Sequence, residues 1–172
     1  KTLFSISKEN RLIHKKYSRE QARMGGARKG SQRFDWPNTQ LRYTKKGQTS
    51  ETPITVGTLD ITTHKLQLRH DLEAGREIFS YPVISKRTLK QYTYEMIGSE
   101  VLETAIGPLN TVKMQRFAAG GKRQTTIWLA VDWNYLIVKF NRMKDGESYN
   151  MDFIDGEVNN TPVIPLQTVT EK

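Results

Sequence analysis

The chain has no cysteine and only three histidines among its 172 residues. The absence of cysteine excludes disulfide bonds, a thiolate nucleophile and every cysteine-based metal site. No apolar run approaches the roughly 20 residues that a membrane-spanning helix needs, and no signal peptide is visible. The first residue is lysine rather than methionine. We therefore expect that an N-terminal piece has been removed.

Sequence signatures of catalysis are also missing. No Gly-x-Ser-x-Gly elbow, Walker loop or dinucleotide fingerprint occurs. His64 and His70 are six positions apart on a predicted helix, so they lack the i, i+4 spacing of zinc-binding helices, and we expect His64 at the surface. Glu100 and Glu103 point to opposite faces of a predicted strand and are expected to be solvated. The sequence therefore predicts a protein that is not an enzyme, with no metal and no cofactor.

Alternation of apolar and polar residues is the strongest positive signal, and it is concentrated between positions 89 and 153. The clearest runs are residues 91–97, 111–117, 123–130 and 135–140. Turn residues separate these runs, which is typical of an antiparallel meander with one buried face. Only 36% of the residues are hydrophobic, so a thin curved sheet is favoured over a thick sandwich.

One segment, about residues 60–72, predicts a helix. Asp60 or Thr58 can cap its first turn, and Gly75 can end it. The apolar stripe that would face the sheet consists of Ile61, Leu66, Leu68 and Leu72. The predicted fold is therefore mainly β: a curved antiparallel sheet or a partly open β-barrel with one principal helix.

The remaining segments complete the predicted organisation. Residues 1–155 form a single β-rich domain, and residues 156–172 form a polar C-terminal tail. Within the domain, residues 18–31 are a long glycine-rich hairpin connection. Residues 48–58 are a loop that holds a short edge strand at 54–56.

Positive charge is concentrated near the start of the chain. Residues 1–50 hold 13 Lys and Arg against three acids, whereas the rest holds 14 against 15, so the net charge of +9 belongs to the first part. The basic hairpin of residues 11–33 suggests binding of a polyanion such as nucleic acid or anionic lipid. Its candidate residues are Lys15, Lys16, Arg19, Arg23, Arg28 and Lys29. The alternative is a solvated hairpin of a basic protein, favoured because no aromatic residue lies between Tyr17 and Phe34.

Aromatic residues of the C-terminal half give a second candidate surface. Thr126, Trp128 and Ala130 share one face of a strand, because strand side chains repeat every two residues. With Tyr94 they could line a concave apolar wall that is open to a lipid-like ligand. Alternatively, the predicted helix packs against this wall and no ligand binds there.

The segments 92–113 and 122–130, with Asp132, Tyr135, Leu136, Val138 and Lys139, resemble a bacterial family called domain of unknown function 3108. Residues 59–72 and 81–83 are similar to it as well. The resemblance implies a β-rich protein of the Gram-negative cell envelope with no established activity. It also implies a signal peptide and further strands before the point where this sequence begins. We therefore expect a non-catalytic periplasmic protein that binds a lipid-like ligand or a protein partner. Nucleic acid is the less favoured partner, and no membrane span is expected.

Overall fold

Strands dominate the computed structural model, which describes residues 2–7, 11–21, 28–117 and 123–166. The first strands are β1 (Thr2–Ile6), β2 (Leu12–Gln21), β3 (Arg28–Asp35), β4 (Gln40–Lys45), β5 (Gln48–Pro53) and β6 (Leu59–Asp60). The helix α1 (Thr63–Glu73) is followed by β7 (Phe79–Ser85), β8 (Thr88–Thr104), β9 (Gly107–Phe117) and β10 (Arg123–Ala130). After a 3₁₀ turn (Val131–Trp133) come β11 (Leu136–Lys144), β12 (Glu147–Asp152), β13 (Glu157–Val158) and β14 (Thr161–Pro162).

The described chain is mainly β with one helix, which confirms the predicted fold class. Its sheets are open, and none of them closes into a barrel. Contacts divide the chain into two compact units, Lys1–His70 with Ser80–Tyr92, and Asp71–Phe79 with Thr93–Lys172. The single domain over residues 1–155 stays a prediction.

The first unit is built on an antiparallel meander in the order β1-β2-β3-β4-β5. Its buried cluster consists of Phe34, Leu41, Ile54 and Ile84, with the half-buried Trp36 packed against it. Phe34 and Leu41 are directly paired across β3 and β4. The short turn after Asp35, in which the Thr39 amide donates to the Trp36 carbonyl, closes this hairpin as the Pro37-Asn38 signal predicts.

Two segments of this unit that the sequence predicted as loops are partly β-strand. Strand pairing between β2 and β3 continues to Gln21 opposite Arg28. Residues 18–21 and 28–31 of the predicted connection are therefore paired strand. Residues 22–27 lie outside the described residues. The predicted edge strand at 54–56 is wrong, because the edge strand is Gln48–Pro53 and Ile54 is buried in the core. Both errors arise where backbone pairing stabilises polar residues that lack the two-residue hydrophobic period.

The second unit contains the predicted antiparallel meander, with strand order β12-β11-β10-β9-β8. Strand β8 is longer than predicted, and its residues 88–92 belong to the first unit. Gly98, which the sequence placed in a turn, lies inside β8 at a register shift and has a φ of 149°. Because glycine readily adopts positive φ, it accommodates a β-bulge there without ending the strand.

The C-terminal segment up to residue 166 packs on the second unit, although the sequence predicted a polar tail over 156–172. Strands β13 and β14 form a short antiparallel pair, and Val163 is buried. The Leu166 amide donates to the Pro108 carbonyl at 2.8 Å, and the Trp133 indole donates to the Ile164 carbonyl at 3.2 Å. A few apolar residues are enough to hold this mostly polar segment in place, because they pack against apolar side chains of the preceding strands. Residues 167–172 lie outside the described residues.

The helix confirms the predicted cap and stop. Asp60 Oδ1 accepts hydrogen bonds from the amides of Thr62 and Thr63 at 2.6 and 2.7 Å, and Thr63 Oγ1 accepts from the Asp60 amide at 2.9 Å. Gly75 has a φ of 64°, and its amide donates to the Leu72 carbonyl. Because Asp60 is the cap, helix α1 starts at Thr63 rather than at residue 60.

Replacing the capping aspartate should destabilise the fold. We expect Asp60→Ala to lower the free energy of unfolding by about 1–2 kcal/mol, because it removes the acceptor for the first amides of helix α1. The matched control is Thr62→Ala, an exposed neighbour whose backbone amide bonds to Asp60 in both proteins. Urea unfolding followed by circular dichroism measures the difference. Equal stability of the two variants would contradict the cap.

Candidate functional site

Trp128 lies at the centre of the second unit's sheet, on β10. Thr126, Trp128 and Ala130 are only 5%, 8% and 0% exposed, and they share one face as predicted. Strand pairing places Lys113 of β9 and Lys139 of β11 directly beside Trp128. Their ammonium groups lie 4.9 and 5.5 Å from the indole centroid, within the range of cation–π attraction.

Acidic residues on the outer strands complete this row. Glu100 of β8 accepts a hydrogen bond from the Trp128 indole and lies 3.9 Å from Lys113 Nζ. Asp152 of β12 lies 3.5 Å from Lys139 Nζ. Glu100 and Glu103 are exposed, as expected. The two lysines and the two carboxylates of this row therefore balance each other in charge.

The Trp128 face is covered by other parts of the second unit. Trp128 and Ala130 belong to a cluster with Leu109, Val138 and Val163. Partly buried residues packed against this cluster are Leu102, Ile106, Trp133, Leu136, Phe153 and Val158. The side chains that cover Trp128 therefore come from strands and from the C-terminal segment. The alternative predicted from the sequence was a cover by the helix through Ile61, Leu68 and Leu72.

Tyr94 is not brought together with the other three predicted ligand residues. Its ring lies 5.9 Å from the Arg116 guanidinium carbon, and Arg116 Nη2 donates to Thr125 Oγ1 at 3.1 Å. Thr125 precedes Thr126 in β10, so its side chain points to the opposite face of the sheet. Tyr94 thus belongs with Thr125, on the face away from Trp128.

His64 is buried, so its predicted surface position is wrong. Its Nδ1 lies 3.0 Å from the Asp60 carbonyl oxygen, and its ring packs edge-on against Tyr92 with centroids 5.2 Å apart. The polar contact and the aromatic neighbour offset the free-energy cost of burying the imidazole ring. His70 is half-buried. Among the residues that the structure describes, no three His, Asp or Glu side chains are grouped as metal ligands.

A surface hollow of about 280 Å³ lies in the first unit, where β3 passes through its turn into β4. We call it the arginine hollow, and its lining residues are Arg33, Phe34, Asp35, Trp36, Pro37 and Arg42. Alternation along β3 buries Phe34 and leaves Arg33 exposed on the other face. The Trp36 ring packs against the Phe34 ring at a centroid distance of 5.5 Å.

Two arginines face each other across the arginine hollow's hairpin. Arg33 and Arg42 are directly paired in register, and Lys16 of β2 is paired with Arg33 on the other side. All three side chains are exposed. Like charges placed directly opposite each other in a sheet are destabilising. Glu51 relieves part of this repulsion, since its carboxylate lies 2.9 Å from Arg42 Nε.

Asp35 is the acidic group of the arginine hollow. Its carboxylate accepts a hydrogen bond from Asn38 Nδ2 at 3.1 Å, and a longer one from the Asn38 amide. These bonds, with the nearby guanidinium groups of Arg42 and Arg33, hold the pKa of Asp35 below its usual value. Asp35 therefore stays ionised at neutral pH.

The predicted basic set is only partly described. Lys15 and Lys16 are exposed on β2. Arg19, Arg28 and Lys29 are strand positions, paired with Gly30, Gln21 and Glu20. Arg23 lies outside the described residues. Arg33 and Arg42 are absent from the predicted set, although a hairpin centred on the Pro37-Asn38 turn already implies that positions 33 and 42 face each other.

These features define a mainly β protein with two units, a packed face around Trp128 and the arginine hollow. The chain belongs to the family described as Protein of unknown function (DUF3108), whose profile matches residues 5–154. This match confirms the resemblance noted in the sequence. No curated protein and no solved structure matches the chain. The described residues include no helix long and apolar enough to cross a bilayer.

Truncation of Trp128 should cost far more stability than truncation of Trp36. We expect Trp128→Ala to reduce the free energy of unfolding by about 3–5 kcal/mol, because it leaves a cavity in a closed cluster. Trp36→Ala, the matched control, should cost less, about 1–2 kcal/mol, because that ring is only partly buried. Urea denaturation measures both values. A loss at Trp128 no larger than that at Trp36 would show that the Trp128 face is not packed.

Proposed function

We propose that this chain is a non-catalytic binding protein of the cell envelope, and that it binds a small amphipathic anion in the arginine hollow. One observation carries the proposal. Arg33 and Arg42 face each other across a hairpin, and Trp36, whose ring packs on Phe34, lines the same hollow. This pairs two cationic groups with an aromatic surface in one concave site.

The paired arginines favour an anionic group. Their side chains are exposed on adjacent strands, which are about 4.8 Å apart in a sheet. A carboxylate or phosphate between them would offset their mutual repulsion. Guanidinium groups bind such oxygens through two parallel hydrogen bonds, which makes the contact directional as well as attractive.

The aromatic part of the arginine hollow favours an apolar group next to the anion. Phe34 is buried under the half-exposed Trp36, and Pro37 extends the apolar surface. The volume of about 280 Å³ lies at the lower limit of ordinary ligand pockets, which span roughly 300–1,000 Å³. The hollow therefore suits a head group with a short apolar segment rather than a whole lipid.

Charge in the arginine hollow favours a single anionic group over several. The lining holds two guanidinium groups and the ionised carboxylate of Asp35, and Arg42 is also paired with Glu51. Each added negative charge on a ligand would meet these carboxylates. A monoanion with an apolar portion matches the lining better than a dianion.

The non-catalytic and envelope parts of the proposal have separate support. The sequence contains no catalytic signature, which favours binding over chemistry. The envelope assignment rests on the expectation attached to the family, whose members are typically exported. The proposed ligand keeps the apolar part of the lipid-like ligand expected from the sequence. Its proposed site is the arginine hollow, which is exposed, and not the Trp128 face, which is packed.

A second candidate function is binding of an extended polyanion. The register favours it, since Lys16, Arg33 and Arg42 form a continuous row of exposed cations across β2, β3 and β4. A polyanion would contact the entire row, whereas the amphipathic anion would use only the two arginines and the aromatic surface. Lys16 therefore distinguishes the two candidates.

Octanoate is a suitable probe for the arginine hollow, with octanol as its uncharged match. We expect octanoate to quench or enhance Trp36 fluorescence saturably, and Arg33→Gln or Arg42→Gln to weaken its binding about tenfold or more, because each removes a charge-assisted hydrogen bond. The control is Arg87→Gln, an exposed arginine in the turn between β7 and β8. It should leave binding unchanged.

Three outcomes would count against this assignment. Octanol could bind as well as octanoate, both glutamine variants could bind normally, or nothing could bind. A polyphosphate whose affinity falls steeply with salt, with a slope that Lys16→Gln reduces by about one, would favour the second candidate.

Localisation can be tested with the complete reading frame. We expect the protein, produced in a Gram-negative host, to be released with the periplasmic fraction by osmotic shock. A cytoplasmic and a periplasmic marker enzyme calibrate the fractions. Recovery with the cytoplasmic marker alone would contradict the envelope assignment.

A further inference from the structure

Strand β12 ends the second unit's strand order, so one of its edges is unpaired among the described residues. All six of its residues are exposed. Its pairing with β11 runs without a register shift from Lys139 opposite Asp152 to Lys144 opposite Glu147. An unpaired, regular edge presents free backbone donors and acceptors that can pair with another strand.

The backbone groups on the outer edge of β12 can be assigned. The Phe153 amide donates to the Val138 carbonyl of β11 at 2.9 Å. Because inward and outward groups alternate in an antiparallel pair, Tyr149 and Met151 also bond inward. The amides and carbonyls of Ser148, Asn150 and Asp152 therefore point outward. Together they offer three donors and three acceptors in the spacing of a β ladder.

The two edges of the five-stranded sheet carry features that discourage pairing. Strand β1 has a register shift at Leu3 and Phe4, and β5 ends in Pro53. Bulges and prolines are the usual means of blocking strand addition, together with lysines on the edge. Strand β12 has no proline, no lysine or arginine and no bulge. Its edge is therefore the least protected of the three.

The side chains of β12 define which kind of partner segment would fit along its outer edge. Tyr149 and Met151 are 52% and 53% exposed on the same strand face. The Tyr149 hydroxyl donates to Glu147 at 2.6 Å, and this bond raises the pKa of Tyr149 above its usual value. Residues 145–157 hold five acids and no Lys or Arg, in a chain whose net charge is +9. The edge is thus locally acidic with an apolar centre.

We propose that the outer edge of β12 binds an extended segment of a partner protein as an added antiparallel strand. The segment carries basic residues opposite Glu147 and Asp152, and apolar residues opposite Tyr149 and Met151. Backbone pairing supplies the attraction, and the charged ends set the register. A second copy of β12 fits poorly, because it would bring two acidic edges together, each with five acids and no Lys or Arg over residues 145–157.

Only six residues take part in the added strand, so the interface is small. Interfaces well below about 1,200 Å² belong to weak or transient complexes, and we expect about micromolar affinity or weaker. Nuclear magnetic resonance titration suits this range. The probe is the capped peptide Lys-Ile-Thr-Val-Thr-Lys, with Glu-Ile-Thr-Val-Thr-Glu as its charge-reversed match.

The deciding variant is Asn150→Pro, which removes a central outward amide but leaves the inward bonds of β12 in place. We expect it to weaken binding of the basic peptide about tenfold or more, whereas the matched control Asn150→Thr binds within about twofold. The acidic peptide should bind about tenfold more weakly than the basic one.

A second variant keeps the test decisive if Asn150→Pro does not fold. Glu147→Lys, at an exposed strand end, should narrow or reverse the preference between the two peptides. The proposal is overturned if the basic peptide does not bind, if Asn150→Pro binds it as well as Asn150→Thr does, or if peptide charge has no effect. Sedimentation showing a dimer that Asn150→Pro dissociates would assign the edge to a second copy instead.

Discussion

The antiparallel register, set by short turns between consecutive strands, is the constraint on which each surface of this protein depends. The turn after Asp35 places Arg33 opposite Arg42, and the meander places Trp128 between Lys113 and Lys139. A slip of one residue would turn every side chain of the moved strand to the other face. Such a slip would separate the paired arginines and expose the buried indole. The surfaces of this fold therefore depend on strand pairing between segments that are close in sequence.

Two tryptophans, Trp36 and Trp128, have different surroundings, although both belong to segments that the sequence predicts as strands. Trp128 is closed in by strands and by Val163, which lies 35 positions further along the chain. Trp36 follows a strand end, and its ring remains half exposed beside two arginines. Burial here is decided by which distant segment covers a face. The residues beside each ring do not reveal that.

Local patterns predicted the elements well, and long-range packing accounts for the errors. Alternation located the meander, and the Asp60 cap and Gly75 stop located the helix. His64 was misplaced because its ring is satisfied by a backbone carbonyl and by Tyr92, 28 positions away. The arginine hollow could have been predicted from the hairpin register. The cover of Trp128 could not, since a few apolar residues in a polar segment carry no periodic signal.

The most direct test of the account follows the three indole N–H resonances of Trp36, Trp128 and Trp133 during an octanoate titration. The account predicts that the Trp36 resonance shifts saturably while the Trp128 resonance stays unchanged and exchanges slowly with solvent. Slow exchange is expected because Trp128 is only 8% exposed and its indole N–H is hydrogen-bonded to Glu100. A saturable shift of Trp128 with no change at Trp36 would contradict the account and place the ligand on the sheet face of the second unit.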